Sequence, residues 1–225
     1  MMYSEILFII LSIATGYLFG CFSTGYIVGK MSGHDIRSEG SGNIGTTNAL
    51  RTMGAKGGAL TFGGDLLKTF IPTLVVRFII CPFMEYSDEM TYMMTLVIGL
   101  GVVIGHNFPF YLKFKGGKGI AVSAAVIVAS SSNSVTGWIM IAAGLLIFIL
   151  VVAVTRYVSL GSLIVVWYFP VYTILQYRNW SGFAGLLILS LAFTGLAYFK
   201  HAGNIRRLLD GTERKLGMGN DKKEK

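Results

Sequence analysis

Apolar runs of about twenty residues recur along the chain, the length a helix needs to cross the ~30 Å hydrocarbon core of a bilayer. They occupy residues 3–29, 55–80, 91–112, 119–132, 135–154, 158–176 and 181–199. That pattern restricts the fold to an all-α, polytopic membrane protein, since a helix satisfies its backbone internally where no water is available. Composition agrees: only 13% of the 225 residues are charged and mean hydropathy is +0.64, whereas soluble domains carry about a quarter charged residues. The run 119–132 is the short one, and a re-entrant segment could take its place. Met1-Met-Tyr-Ser-Glu5 lacks the basic start of a cleaved signal peptide, so the first run is expected to remain as a helix. No internal repeat or linker divides the chain, so residues 1–225 read as one transmembrane domain.

Charge placement sets the topology. Lys30, Arg37, Arg51, Lys56, Lys113, Lys115, Lys118, Arg156 and the tail cluster fall on one side of seven spans, against Glu85, Asp88, Glu89 and Arg178 on the other. By the positive-inside rule the first side is cytoplasmic, with the N-terminus outside and the C-terminus inside. The net charge of +8 is thus a topology signal, with no nucleic-acid partner implied. Cys21 and Cys81 lie within apolar runs and read as packing residues.

The polar exception is residues 37–51, Arg-Ser-Glu-Gly-Ser-Gly-Asn-Ile-Gly-Thr-Thr-Asn-Ala-Leu-Arg. Glycines let successive N–H groups converge on one point, and such nests bind anions, phosphate above all. Ser41, Asn43, Thr46, Thr47 and Asn48 offer short hydrogen bonds, and Arg51 a bidentate clamp. Gly40-Ser-Gly-Asn-Ile-Gly45 fits a dinucleotide fingerprint, but that pattern requires a preceding strand, and here the preceding sequence is helical and apolar. An anion site at the membrane edge explains the loop better than flexibility does.

Two further glycine- or histidine-bearing stretches reach the same edge. Gly116-Gly-Lys-Gly119 places N–H groups and Lys118 at a helix start, where an anion is favoured, although its spacing is not that of a P-loop. Lys113 and Lys115 read as topology anchors. Gly105-His-Asn-Phe-Pro109 suggests a structural turn or a supporting role for His106, while His34 reads as a solvated loop residue. His201 and Asn204, three apart, share a helical face. Asp65 and Lys68 do too, inside the second span, where a lone charge costs about 2.5–3.5 kcal/mol. They read as a structural ion pair, supporting the loop from behind, or as catalytic groups. No metal-ligand cluster, His-x-x-x-x-Asp pattern or serine elbow is present.

Taken together, Ser41-Gly-Asn-Ile-Gly-Thr-Thr-Asn48 with Arg51, Gly105–Pro109, Gly116–Gly119, Arg156-Tyr-Val-Ser-Leu-Gly-Ser162, and His201 with Asn204 resemble the bacterial membrane acyl-phosphate:glycerol-3-phosphate acyltransferases. Departures are small. Val122 stands where the family usually has Thr, and Thr69 where it usually has Gly. The resemblance implies acyl transfer from acyl phosphate to the 1-hydroxyl of glycerol 3-phosphate, giving lysophosphatidic acid and phosphate. It implies seven helices in the bacterial inner membrane with the site at the cytoplasmic face. It also implies Ser41, Arg51, Lys118, Ser162 and His201 as catalytic, and Gly42, Asn43, Thr47, Asn48, Gly116, Gly117 and Asn204 as substrate-binding. No cofactor or metal is expected; the expected partners are the two substrates, membrane lipids and an enzyme that makes acyl phosphate. The rival reading is a transporter for an organic phosphate, which the intramembrane charges favour. Against it stands the gathering of candidate anion groups at one membrane face, away from the midplane.

Overall fold

The structure, a computed structural model, describes residues 2–217. All regular structure in these residues is helical: α1 (Met2–Cys21), α2 (Thr24–Met31), α3 (Thr46–Val75), α4 (Cys81–Phe83), α5 (Asp88–Asn107), α6 (Ile120–Ser131), α7 (Val135–Thr155), α8 (Val158–Val165), α9 (Tyr168–Tyr177), α10 (Phe183–Lys200) and α11 (Ala202–Leu209). Six continuous or nearly continuous stretches are long and apolar enough to cross a membrane: Glu5–Met31, Thr46–Phe83, Asp88–Leu112, Val135–Thr155, Val158–Tyr177 and Phe183–Lys200. The seventh expected span is where the structure departs from expectation. α6 has 12 residues, which rise about 18 Å, well short of the bilayer core.

A helix ending inside a membrane leaves carbonyls without water, at a cost of several kcal/mol each. Arg77 answers that need. It sits in a π turn, Val76–Ile80, that follows Pro72 at the end of α3. Its guanidinium donates to the Ala129 carbonyl and to Ser132 Oγ at 3.2 Å, capping the C-terminal end of α6.

α1 and α5 cross at closest range. Gly16 and Gly20 of α1 face Gly101 and Gly105 of α5, and a Cβ on any of the four would collide with backbone of the opposite helix. Small residues four apart allow such backbone approach, the usual driving geometry where lipid offers no hydrophobic incentive. A second core joins α5, α6, α9 and α10 around Tyr92, Phe169, Tyr172 and Phe193, with the two Phe rings stacked at 4.2 Å. α7 lies at the periphery. Gly137 is its one buried residue, and its remaining apolar surface suits lipid.

Several expected spans are broken. The first bends at Phe22-Ser23, and the sixth at Val166-Trp167. The second begins earlier than its apolar run, at Thr46, and turns sharply at Gly54 (φ +70°, ψ −170°), a conformation glycine tolerates. That kink swings the segment carrying Thr47, Asn48 and Arg51 away from the axis of the membrane-crossing helix.

Candidate functional site: a cationic cluster at the membrane edge

The loop 36–45 is shaped by Asn48. Its Oδ1 accepts the Ser41 N–H at 2.8 Å, and its Nδ2 donates to the Ile36 and Glu39 carbonyls, both at 3.1 Å. The buried carboxamide packs against Gly40, whose left-handed backbone (φ +58°) and missing Cβ allow the contact. Asn48, expected to bind substrate, therefore has both polar atoms engaged in holding the loop. Ser41 and Gly42 (φ +72°) are exposed, and Asn43 and Thr47 half-buried. His34 is not simply solvated: its Nδ1 lies 3.0 Å from Glu39 Oε2.

The second element is the turn between α5 and α6. The Gly116 N–H donates to the Asn107 carbonyl at 3.1 Å and the Gly117 N–H to the His106 carbonyl at 3.0 Å. Lys200 Nζ, at the end of α10, donates to the same Asn107 carbonyl at 2.9 Å. The turn delivers Lys118, while Lys113 and Lys115 are exposed.

The third element is the segment after α10. Asn204 of α11 is buried, and its Oδ1 accepts from Lys118 Nζ at 2.7 Å. Its Nδ2 donates to Glu213 Oε1 at 2.5 Å. Glu213 also accepts from Ser159 Oγ at 2.7 Å and from Arg207 Nε at 2.7 Å. Arg156 fixes this tail by donating twice to the Leu216 carbonyl, at 3.1 and 2.8 Å, while its own carbonyl accepts from the Leu216 N–H. Ser162, one turn beyond Ser159 in α8, is buried and donates to the Val158 carbonyl at 2.8 Å.

Lys118, Asn204, Glu213 and Ser159 are thus joined by hydrogen bonds across the turn, the tail segment and α8, and Arg51 of α3 lies close enough for its charge to act on Lys118 and to be opposed by Glu213. Burial pushes the Lys118 ammonium down to about 8; the Glu213 carboxylate opposes the shift, and Arg207, Arg51 and Lys200 reinforce it. Glu213 is desolvated, yet hydrogen bonds from Asn204, Ser159 and Arg207 outweigh burial and hold its carboxyl below the ordinary value. His201 is buried, and that burial pushes its imidazole down to about 4. Its Nδ1 donates to the Ala197 carbonyl at 2.7 Å, which leaves Nε2 as an acceptor in the neutral ring. Glu213 and Ser159 were not foreseen. Ser159 lies inside the motif read for Ser162, but Glu213 stands in a tail whose basic residues concealed it.

An all-helical membrane protein with a cluster of cations and amide groups at one edge is built to hold an anion beside lipid. A sequence model of one family, glycerol-3-phosphate acyltransferase, matches residues 10–211. The chain belongs to that family and is an integral membrane acyltransferase. A glycerol-3-phosphate acyltransferase of Clostridioides difficile (strain 630) is 42% identical over 219 residues, covering 95% of this chain and 98% of the relative. One from Bacillus subtilis (strain 168) is 34% identical over 209 residues, covering 92% and 97%. Among solved structures, the crystal structure of PlsY (YgiH), an integral membrane glycerol 3-phosphate acyltransferase, aligns in its glycerol 3-phosphate form with a TM-score of 0.76 at 29% identity, covering 93% of this chain and 96% of that one. Its lysophosphatidic acid form aligns with a TM-score of 0.74. Family membership sets the transporter reading aside.

Proposed function

We propose that the chain transfers an acyl group from an acyl phosphate to the 1-hydroxyl of glycerol 3-phosphate, releasing lysophosphatidic acid and phosphate. The observation that carries this reading is the convergence of Arg51, Lys118 and Asn204 on one cluster. The donor and the acceptor are both phosphates, and such a cluster offers charge and N–H groups for them. The acceptor oxygen attacks the acyl carbonyl carbon, the carbon–oxygen bond to phosphate breaks, and the hydroxyl proton passes to the leaving phosphate. Arg51 holds the donor's phosphate oxygens and stabilises the charge that develops on the leaving group, while Lys118 holds the acceptor's phosphate. Ser41, Gly42, Asn43 and Thr47 line the approach of the acyl phosphate; the Gly116 and Gly117 N–H groups, expected to bind substrate, are taken by the Asn107 and His106 carbonyls and hold the turn instead. His201 Nε2 and Asn204 orient the acceptor; an imidazole held near 4 is a weak base, so His201 aligns the hydroxyl more than it deprotonates it. Among the described residues neither Ser41 nor Ser162 has a histidine or carboxylate bonded to its hydroxyl, which favours direct attack over an acyl-serine.

The cluster also bears on topology. Lys118 precedes α6, Ser159 begins α8, and both reach Glu213 or Asn204 after α10. If α7 crosses outward-to-inward to deliver Ser159, the short α6 makes the opposite trip with its C-terminal end capped by Arg77, giving seven passes with the termini on opposite sides. The basic edge is then the cytoplasmic face of a bacterial inner membrane. Purified protein incubated with acyl phosphate and labelled glycerol 3-phosphate should yield labelled lysophosphatidic acid by sequential kinetics. Product from an acyl thioester alone, or ping-pong kinetics, would overturn the donor or the direct attack.

A further inference from the structure

We propose that Asp65, Lys68 and His106 form a positioning unit inside the bilayer that sets the Gly116–Gly119 turn and, through it, the place of Lys118. Each of the three side chains is at most 4% exposed. An ammonium has three donors and no acceptor, and Lys68 meets three partners from three segments. Its Nζ lies 2.8 Å from Asp65 Oδ1 one helical turn away, donates to the Phe22 carbonyl at the α1–α2 bend at 2.8 Å, and donates to His106 Nδ1 at 2.9 Å. That last bond assigns His106 as the neutral ring with its proton on Nε2.

The ring so oriented becomes the floor of the turn. A Cβ on Gly117 would collide with Nε2, Cε1 and Cδ2 of His106 and, within van der Waals range, those ring atoms are its three nearest obstacles. The His106 carbonyl holds the Gly117 N–H at 3.0 Å. The residue after Gly117 is Lys118, whose Nζ finds Asn204 at 2.7 Å. A shift of the imidazole therefore moves the backbone that carries the cation. None of the three groups in the unit is bonded to Arg51, Lys118, Asn204 or Glu213, so the unit acts through position alone.

The inference rests on Lys118 holding the acceptor's phosphate. Displacing a binding group by about 1 Å costs on the order of a hundredfold, so even partial displacement is measurable. His106→Ala should raise KM for glycerol 3-phosphate about tenfold, with the KM for acyl phosphate little changed. Its amide exchange should rise in residues 114–120 and not in α7 or α10. His106→Asn, which returns an acceptor near Nδ1, should restore most of both. Gly117→Ala should be as damaging as His106→Ala, yet add nothing when the ring is already gone. This cycle leaves the Asp65–Lys68 pair intact, so the variants remain folded. Unchanged exchange in the turn, or additive effects of Gly117→Ala and His106→Ala, would overturn the inference. Lys118→Ala serves as the separate control. If it leaves KM for glycerol 3-phosphate untouched, the assignment of Lys118 fails instead, and the exchange data still decide whether the triad orders the turn.

Discussion

Lys68 and Lys118 are both largely withdrawn from water, and the protein treats them in opposite ways. Lys68 has a carboxylate, a carbonyl and an imidazole nitrogen at 2.8–2.9 Å around its ammonium. Lys118 has Asn204 as its hydrogen-bond partner and feels Arg51, Arg207 and Lys200 as like charges, with Glu213 alone opposing them. The first cation is enclosed by an opposite charge and two hydrogen-bond acceptors and serves as a fastener. The second is held under-matched, which on the proposed reading leaves it affinity for an incoming anion. Burial alone does not tell a structural charge from a functional one; the count of satisfied donors does.

The comparison breaks most visibly at Lys68. Lys68→Met leaves Asp65 as an uncompensated buried charge and should destabilise the fold by about 3–5 kcal/mol, read as a lowered unfolding midpoint in detergent. Lys118→Ala should do the reverse. Catalytic efficiency falls about 10²–10³-fold, as when an anion-stabilising donor is removed, while thermal stability holds or improves because a like charge leaves the cluster. The pH profile sharpens the contrast further. With Lys118 near 8, below its ordinary 10.5, its charge is present below that pH and lost as pH rises through it. The kcat/KM for glycerol 3-phosphate should therefore fall about tenfold per unit above pH 8, and Lys118→Arg should carry that limb upward. No limb from His201 is expected between pH 5 and 8, its imidazole lying near 4. Smallest of all, Lys113→Gln with Lys115→Gln should change activity by less than about twofold, both side chains being exposed and outside the cluster.

Much of the architecture was legible because bilayer thickness dictates helix length: six of the seven apolar runs correspond, in order, to stretches long enough to cross a membrane, and the short run 119–132 to the 12-residue α6. What hydropathy could not reveal were the breaks at Phe22-Ser23 and Val166-Trp167, since the chain is apolar on both sides of each. The helical start at Thr46 was hidden as well. Its Gly, Thr and Asn content reads as loop, and only the folded state shows Asn48 closing that loop by its side chain. Asp65 and Lys68 declared themselves by spacing, whereas His106, the partner from another helix, could not. Within the site, Arg51, Lys118 and Asn204 were marked by motif. Glu213 was not, because a single carboxylate in a basic tail gains meaning only when the fold brings Asn204, Ser159 and Arg207 around it.

The way Asn204 and Glu213 reach Lys118 has a consequence for biogenesis. Both follow α10, so a nascent chain with every earlier helix already threaded into the membrane still lacks Asn204, which bonds Lys118, the lysine proposed to hold phosphate, and Glu213, which bonds Asn204. On the proposed reading, a chain truncated before residue 204 should be inactive even with every preceding helix inserted, because Lys118 then lacks its Asn204 partner.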